Sequence, residues 1–252
     1  MTIEQAKPDP AGERLVLRAD SGEVATLTLN RPSQRNAINR ALFRELRSHV
    51  RDLEQDRDIG VVVLRGAGGH FCAGHDLKEP PHPDALGWLR AELHALEKLT
   101  ALRQIVIAAV EGTCYTGGLE MALSCDFIVC DETARFADTH AKWGLVPGWG
   151  MSQRLPRRVG SAKAIEMMTT CRPYTGRQAE AMGLANLCTE AGGLDAAVQD
   201  LAGAILANSR HAVAENKKLV YQTDGMRLAE GLDHEVMRNA GFDRERGYRK
   251  KD

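Results

Sequence analysis

The chain has 252 residues, with 33 basic and 34 acidic side chains and a formal net charge of −1. This balance gives no general electrostatic reason to expect nucleic acid or a membrane surface as a partner, although a local basic patch stays possible. No run approaches the roughly 18 apolar residues of a membrane-spanning helix, and the first residues lack the apolar core of a signal peptide. We therefore expect a cytoplasmic protein with one large domain, or one domain and a smaller appendage.

The first third of the chain has an α/β pattern. Two short runs at 14–18 and 24–29, separated by Asp20-Ser21-Gly22, predict a β-hairpin. Apolar residues then recur every three or four positions across 37–53, which indicates an amphipathic helix, and the all-apolar run 61–64 indicates a buried strand. The order strand, helix, strand favours an α/β unit with a right-handed crossover.

A loop with the sequence HFCAGHDLK occupies residues 70–78, shortly after that buried strand. In open α/β folds ligands bind where such loops follow the strands. A helical pattern across 86–102 then leads to a continuous apolar run at 105–110, which is consistent with a strand buried on both faces.

The glycine pair Gly117-Gly118 precedes the helix-forming residues LEMAL. We expect these glycines to begin a helix whose first N–H groups have no intrahelical partner and so favour negative charge. Glu120 falls in the first turn of that helix, where the dipole favours ionisation and burial opposes it, so its pKa could shift in either direction. The run 127–130 predicts a further buried strand.

After Gly150 the patterns are mostly helical, at 162–168, 178–182, 196–207, 212–221 and 228–237. We place a boundary near Glu190, dividing a strand-containing core of residues 1–190 from a helical region of residues 191–252. The helical region is a natural oligomerisation surface, but it could equally fold back on its own core. The six cysteines form no CxxC pair and have no histidine at metal-site spacing, so we expect buried free thiols, no disulfide and no metal.

Four motifs in order resemble the crotonase superfamily, the enoyl-CoA hydratase/isomerase family, across residues 24–187. They are LNRPSQRNAI, HFCAGHDLKE, IAAVEGTCYTGGLEMALSCD and ARFADTHAKWGLVPGWGMSQRLPRRVG. The resemblance implies an α/β fold, a spiral of ββα turns followed by helices that build trimers, commonly paired into hexamers. It also implies acyl-CoA thioester substrates and no separate cofactor, since coenzyme A is part of the substrate.

The resemblance further implies an oxyanion hole made by the backbone N–H groups of His75 and Gly117, with the His75 side chain a bystander. Two preorganised donors stabilise charge that appears only in the transition state, each by on the order of 3 kcal/mol. The positions that match the adenine and pantetheine contacts of coenzyme A, and the basic positions near its phosphates, are Ala73, Asp76, Leu77, Arg35 and Lys78. The two basic residues could equally be solvated surface charges.

Glu120 matches the first of the two catalytic glutamates of the hydratases, and His140 stands where those enzymes have the second. A glutamate and a histidine could divide the acid and base work, because histidine titrates near neutrality. The alternatives are a Glu120 that only stabilises its helix and a core histidine bonded to a neighbour. Trp149 either lines the acyl pocket or packs in the core, and Gly148 stands where related dehalogenases keep an aspartate nucleophile, which disfavours that subtype.

Three functions follow from this reading. The leading hypothesis is a 2-enoyl-CoA hydratase. The second is an enoyl-CoA isomerase or acyl-CoA decarboxylase, which needs one acid/base group and the oxyanion hole. The third is a non-catalytic acyl-CoA binding protein, because the second glutamate is missing and a fold alone does not establish a reaction.

Overall fold

The structure, a computed structural model, describes residues 14–80, 82–239 and 241. Its strands are β1 (Val16–Ser21), β2 (Val24–Leu29), β3 (Val61–Gly66), β4 (Ile105–Val110), β5 (Thr113–Tyr115), β6 (Phe127–Asp131), β7 (Arg135–Ala137), β8 (Tyr174–Thr175) and β9 (Leu187–Thr189). Its α-helices are α1 (Arg40–Gln55), α2 (Ala85–Ala101), α3 (Gly117–Leu123), α4 (Met151–Val159), α5 (Ser161–Thr170), α6 (Gly176–Ala181), α7 (Leu194–Leu206), α8 (Arg210–Thr223) and α9 (Leu228–Met237).

The larger sheet has six strands in the order β1-β2-β3-β4-β6-β9. The β1–β2 pair is antiparallel, as the hairpin pattern predicted, and the remaining neighbours are parallel. All six residues of β4 are buried. Its apolar run therefore reflects a parallel strand covered on both faces.

Alternate residues of β3 and β4 face two separate apolar layers. Val106, Ala108 and Val110 belong to the main core, which also holds the buried apolar residues of α1 and α2. The opposite face of the sheet packs against α7, which contributes Leu194, Val198 and Ala202. The first helix of the C-terminal region thus folds back on the core, whereas the division into two regions at Glu190 stays a prediction.

A second, three-stranded sheet has the order β5-β7-β8 and was not predicted. Its strands have two or three residues each, too few to show a periodicity in the sequence. It nevertheless positions the chain for the site described below, because β5 leads into α3 and β7 leads into the segment 138–140. Helix α4 was also missed, and it contains Pro156, a residue that normally argues against a helix interior.

Five of the six cysteines are buried and Cys171 is half-buried, and all six are free thiols. Within residues 14–80 and 82–239, none of the helices combines the length and apolar character needed to cross a membrane. Across the same ranges, His, Cys, Asp and Glu side chains form no group of three or more that could hold a metal ion.

Candidate active site

The backbone N–H groups of His75 and Gly117 lie next to each other where two loops meet. A Cβ placed on Gly117 would lie 3.5 Å from the His75 nitrogen, and one placed on Gly74 would lie 3.3 Å from the Gly117 nitrogen. Pairing with Ile38 fixes the first loop, because the Ile38 N–H donates to Gly74 and the Asp76 N–H donates to Ile38, both at 2.8 Å. Neither the His75 nor the Gly117 N–H has an acceptor among the residues described. Both donors are therefore available to a ligand.

Thr116, directly before Gly117, has an unusual backbone conformation with φ 53° and ψ −115°. Such a conformation costs on the order of 1–3 kcal/mol in a residue with a side chain and persists only where its surroundings impose it. Here the Thr116 N–H donates to Ala137 at 2.9 Å, and the Thr116 and Thr139 hydroxyl oxygens lie 2.5 Å apart. The small sheet thus holds the residue that sets the direction of the Gly117 N–H.

Glu120 lies in the first turn of α3 and is 2% exposed. Its Oε1 accepts hydrogen bonds from the backbone N–H groups of Trp149 at 2.9 Å and Met151 at 3.0 Å. Burial raises the pKa of Glu120 more than these N–H groups and the nearby His140 lower it. This carboxyl group therefore retains its proton to a higher pH than an exposed glutamate.

His140 follows β7 and is 8% exposed. Its Nδ1 lies 2.6 Å from Asp138 Oδ1, and the same oxygen accepts the His140 backbone N–H at 3.1 Å. Burial lowers the pKa of His140, but the hydrogen bond and charge of Asp138 and the charge of Glu120 together outweigh burial, so the pKa is raised. The contact with Asp138 directs Nε2 of the ring away from that carboxylate and toward Glu120.

The Nε2 of His140 lies 3.8 Å from Glu120 Oε2. This distance is too long for a direct hydrogen bond, yet one water molecule or one substrate atom could contact both groups. The carboxyl and the imidazole are thus arranged to act on the same ligand atoms, which a core histidine facing only its neighbours would not do.

Both groups line a cavity of about 320 Å³. Of the nine residues predicted for the site, six line this cavity: Ala73, His75, Leu77, Gly117, Glu120 and His140. Much of the remaining wall is apolar and comes from α2 and the segment 143–149.

Asp76, Arg35 and Lys78 do not line the cavity. The Asp76 carboxylate accepts from Arg31 at 2.9 Å and from the Lys78 N–H at 3.1 Å, so its side chain braces the loop. Burial opposes ionisation of Asp76, but these two partners together lower its pKa. Arg35 and Lys78 are exposed, and the Arg35 carbonyl accepts the Ala73 N–H at 2.9 Å.

The sequence reading did not single out Glu92 on α2, which lines the same cavity and is 3% exposed. Its Oε1 accepts from the Trp88 indole N–H at 2.6 Å, and its Oε2 accepts from the Trp149 indole N–H at 3.2 Å. Burial raises the pKa of Glu92 to about 7. A signal was available, because Glu92 stands at helical spacing with the buried Ala95, Leu96 and Leu99.

Trp149 has both roles that the sequence left open. It is buried against Phe43, with ring centroids 5.3 Å apart, and it also lines the cavity. A Cβ on the preceding residue, Gly148, would lie 2.5 Å from Leu89 Cδ1 of α2. Glycine at this position thus permits α2 to pack closely over the cavity.

A sequence model of the family described as enoyl-CoA hydratase/isomerase matches residues 19–249 of the chain. The chain belongs to this family. This membership confirms two predictions made from the four motifs, that the chain is a member of the crotonase superfamily and that it has an α/β fold. The motifs covered residues 24–187, and the family match extends this similarity through the C-terminal helices α7, α8 and α9.

Family members with named activities are similar over most of the chain. A probable enoyl-CoA hydratase of Rhizobium meliloti is 38% identical over 215 residues, covering 85% of this chain and 84% of that protein. A peroxisomal probable enoyl-CoA hydratase of Arabidopsis thaliana is 34% identical over 212 residues, covering 84% and 79%. Among solved structures, the enoyl-CoA hydratase of Bacillus anthracis has a TM-score of 0.85 at 30% identity, with 89% of each chain covered.

Proposed function

We propose that the protein is a 2-enoyl-CoA hydratase, which adds water across the double bond conjugated to the thioester. The observation that carries the proposal is the separation of 3.8 Å between Glu120 Oε2 and His140 Nε2, in a cavity that also holds the free N–H groups of His75 and Gly117. Family membership and the relatives named as probable enoyl-CoA hydratases support the same reaction.

The thioester carbonyl oxygen would accept hydrogen bonds from the His75 and Gly117 N–H groups. Negative charge develops on this oxygen when a nucleophile attacks the far carbon of the double bond. Two fixed donors in a largely apolar cavity stabilise that charge, each by on the order of 3 kcal/mol. Because Thr116 and Ile38 fix both loops, the donors need little rearrangement during the reaction.

In this mechanism the attacking water lies between Glu120 and His140. Its oxygen bonds to C3, and its proton passes to Nε2 of neutral His140, whose Nδ1–H is held by Asp138. The carboxyl proton of Glu120 passes to C2, which completes the addition. The pair carries one proton before and after the step, and transfer from His140 to Glu120 restores the starting state.

The histidine at position 140 also favours a second candidate. An isomerase moves a proton between two carbons of the acyl chain and needs only one acid/base group beside the oxyanion hole. Glu120, buried in the cavity wall, would be the group that moves this proton. Product analysis distinguishes the two reactions, since hydration adds the mass of one water and isomerisation adds none.

The test is incubation of the purified protein with crotonyl-CoA and longer 2-enoyl-CoAs while the absorbance of the conjugated thioester is followed. We expect the absorbance to fall, and Glu120→Gln to lower kcat by about 10²-fold or more. Glu97→Gln, an exposed glutamate on α2, is the matched control and retains activity. Absence of hydration at every chain length would overturn the proposal, and acyl-CoA binding without any turnover would favour the non-catalytic alternative.

We further propose a cytoplasmic homotrimer or hexamer that binds the coenzyme A portion along the loop of residues 73–78, with Arg35 and Lys78 near its phosphates. The oligomer is supported by exposed apolar side chains on α9, where Leu228, Leu232 and Val236 recur every four residues. Light scattering after gel filtration tests the assembly, and a monomeric mass at micromolar concentration would contradict it.

A further inference from the structure

The carboxyl group of Glu92 lies in the cavity wall without a charged partner. Its two oxygens accept hydrogen bonds from two neutral indoles, those of Trp88 and Trp149. Within the described ranges, no lysine, arginine or histidine forms an ion pair with it, and the nearby Arg40 pairs with Glu79 at 3.1 Å. A buried carboxyl group without a cation is destabilising, so its presence in a ligand cavity needs an explanation.

Glu45 shows what a structural glutamate looks like in this fold. It too is buried on the apolar side of a helix, α1, but its Oε2 accepts the backbone N–H groups of Leu15 and Val16 at 2.8 and 3.0 Å. Among the residues that the structure describes, these two amides have no other acceptor, and Glu45 does not line the cavity. The fold therefore uses the Glu45 carboxylate, whereas Glu92 satisfies only two side chains that apolar residues could replace.

Trp149 connects Glu92 with the proposed reaction centre. Its backbone N–H donates to Glu120 Oε1 at 2.9 Å, while its indole N–H donates to Glu92 Oε2 at 3.2 Å. Its ring also lies beside the oxyanion donors, because a Cβ on Gly117 would be 2.8 Å from Trp149 Cζ3. The length of one tryptophan residue thus separates Glu92 from the reacting carbons. The part of the acyl chain beyond those carbons would extend toward Glu92.

The cavity is lined by apolar residues, among them Leu89, Trp143 and Leu145, and by the mutually paired Arg40 and Glu79, in addition to Glu92. Each carboxyl oxygen accepts one indole N–H and has a further lone pair. A hydrocarbon acyl chain would cover these oxygens without bonding to them. A chain that carries a hydroxyl group at this depth would donate a hydrogen bond to Glu92 and keep its carbon atoms against the apolar wall.

We propose that Glu92, held by Trp88 and Trp149, determines substrate specificity and selects acyl-CoA thioesters whose acyl chain bears a hydroxyl group beyond the reacting double bond. The proposal rests on the proposed function in that it takes acyl-CoA as the ligand. A substrate that lacks the hydroxyl leaves the buried carboxyl group without water or a partner on its cavity side, so discrimination comes from that unmet hydrogen bond.

The experiment compares 2-hexenoyl-, 2-octenoyl- and 2-decenoyl-CoA with their terminally hydroxylated counterparts. For at least one chain length we expect the wild-type enzyme to favour the hydroxylated substrate in kcat/KM by about 10- to 100-fold. Glu92→Leu reverses this preference, because the apolar wall is then complete. Glu97→Gln on the same helix leaves the preference unchanged.

Binding of the saturated acyl-CoA pairs by calorimetry gives a readout that does not depend on turnover. A preference for the hydroxylated ligand that is lost in Glu92→Leu supports the subsite even if no hydration occurs. The subsite is overturned if hydration occurs without this preference at all three chain lengths, and if Glu92→Leu has the same kcat/KM ratio between hydroxylated and plain substrates as the wild type. That result leaves the hydratase function intact. If Glu92→Leu does not fold, Glu92→Gln replaces it, and we expect it to reduce the preference several-fold.

Discussion

Replacing Asp138 by asparagine tests whether His140 takes part in the chemistry. Asp138 Oδ1 lies 2.6 Å from His140 Nδ1, and both side chains are almost fully buried. The substitution preserves the shape of the side chain and removes its charge. An asparagine oxygen still accepts from the histidine, but hydrogen bonds to a charged acceptor are about twice as strong as neutral ones.

The expected size of the effect follows from this contact. Losing about 1–2 kcal/mol of imidazolium stabilisation lowers the pKa of His140 by about one unit. The neutral imidazole is then a weaker base, and its orientation is less well fixed. We expect kcat for enoyl-CoA hydration to fall by about 10²-fold, within the range that a positioned acid or base contributes. The acidic limb of the pH profile of kcat/KM should move to lower pH by about one unit, since it reports protonation of the Glu120–His140 pair.

The assay is the hydration rate of crotonyl-CoA from pH 5 to 9, with circular dichroism to confirm that the variant is folded. Asp195→Asn is the matched control, because Asp195 pairs with Arg65 at 2.8 Å on the surface and does not line the cavity. A variant that retains kcat within about twofold, with its acidic limb in the same place, would show that His140 is a core histidine and would refute the proton-transfer scheme.

Three further predictions concern single positions. Gly117→Ala should lower kcat by about 10²-fold with little change in binding, because its Cβ would lie 2.8 Å from Trp149 Cζ3 and displace an oxyanion donor; an unchanged kcat would contradict this. Glu45→Gln should lower the free energy of unfolding in urea by about 1–3 kcal/mol, because it weakens the hydrogen bonds to two backbone N–H groups at the start of β1, and it should leave kcat unchanged. The pKa of Glu92 in the folded protein, about 7, exceeds its unfolded value of 4.5, so the folded state binds more protons and this residue lowers stability as the pH rises from about 4.5 to 7. Glu92→Gln removes that loss, so its stability relative to wild type should be greater at pH 8 than at pH 5, and equal differences at both pH values would refute the assignment.

The elements with clear periodicity were predictable from the sequence. The apolar run of β4 and the three-to-four-residue spacing of α1 reflect local patterns that burial imposes on any strand or helix of this kind. The helix start at Gly117 was likewise predictable, because glycines followed by helix-forming residues signal it locally. By contrast, β5 pairs with β7, which also pairs with β8, and nothing within two or three residues of sequence encodes these pairings.

The candidate site divides in the same way. Glu120, Gly117 and His75 could be named from motif spacing, and six of the nine predicted residues line one cavity. The sequence predicted a ligand contact at Asp76. It could not show that the Asp76 side chain accepts a hydrogen bond from Arg31, because Arg31 is 45 positions away and reaches it only in the fold. Glu92 was passed over as part of a helical pattern, since its two indole partners come together only when α2 packs over the segment that holds Trp149.

The sequence by itself therefore determined the family and the fold class, and it named candidate residues for an oxyanion hole and for proton transfer, because residue type and local spacing encode these motifs. Only the tertiary structure decided that Glu120 and His140 face each other across 3.8 Å, that Asp138 holds the imidazole, and that Glu92 lines the same cavity. These are distances between side chains on separate elements. They depend on how the sheet, α2 and the small β5-β7-β8 sheet pack, which no local pattern specifies.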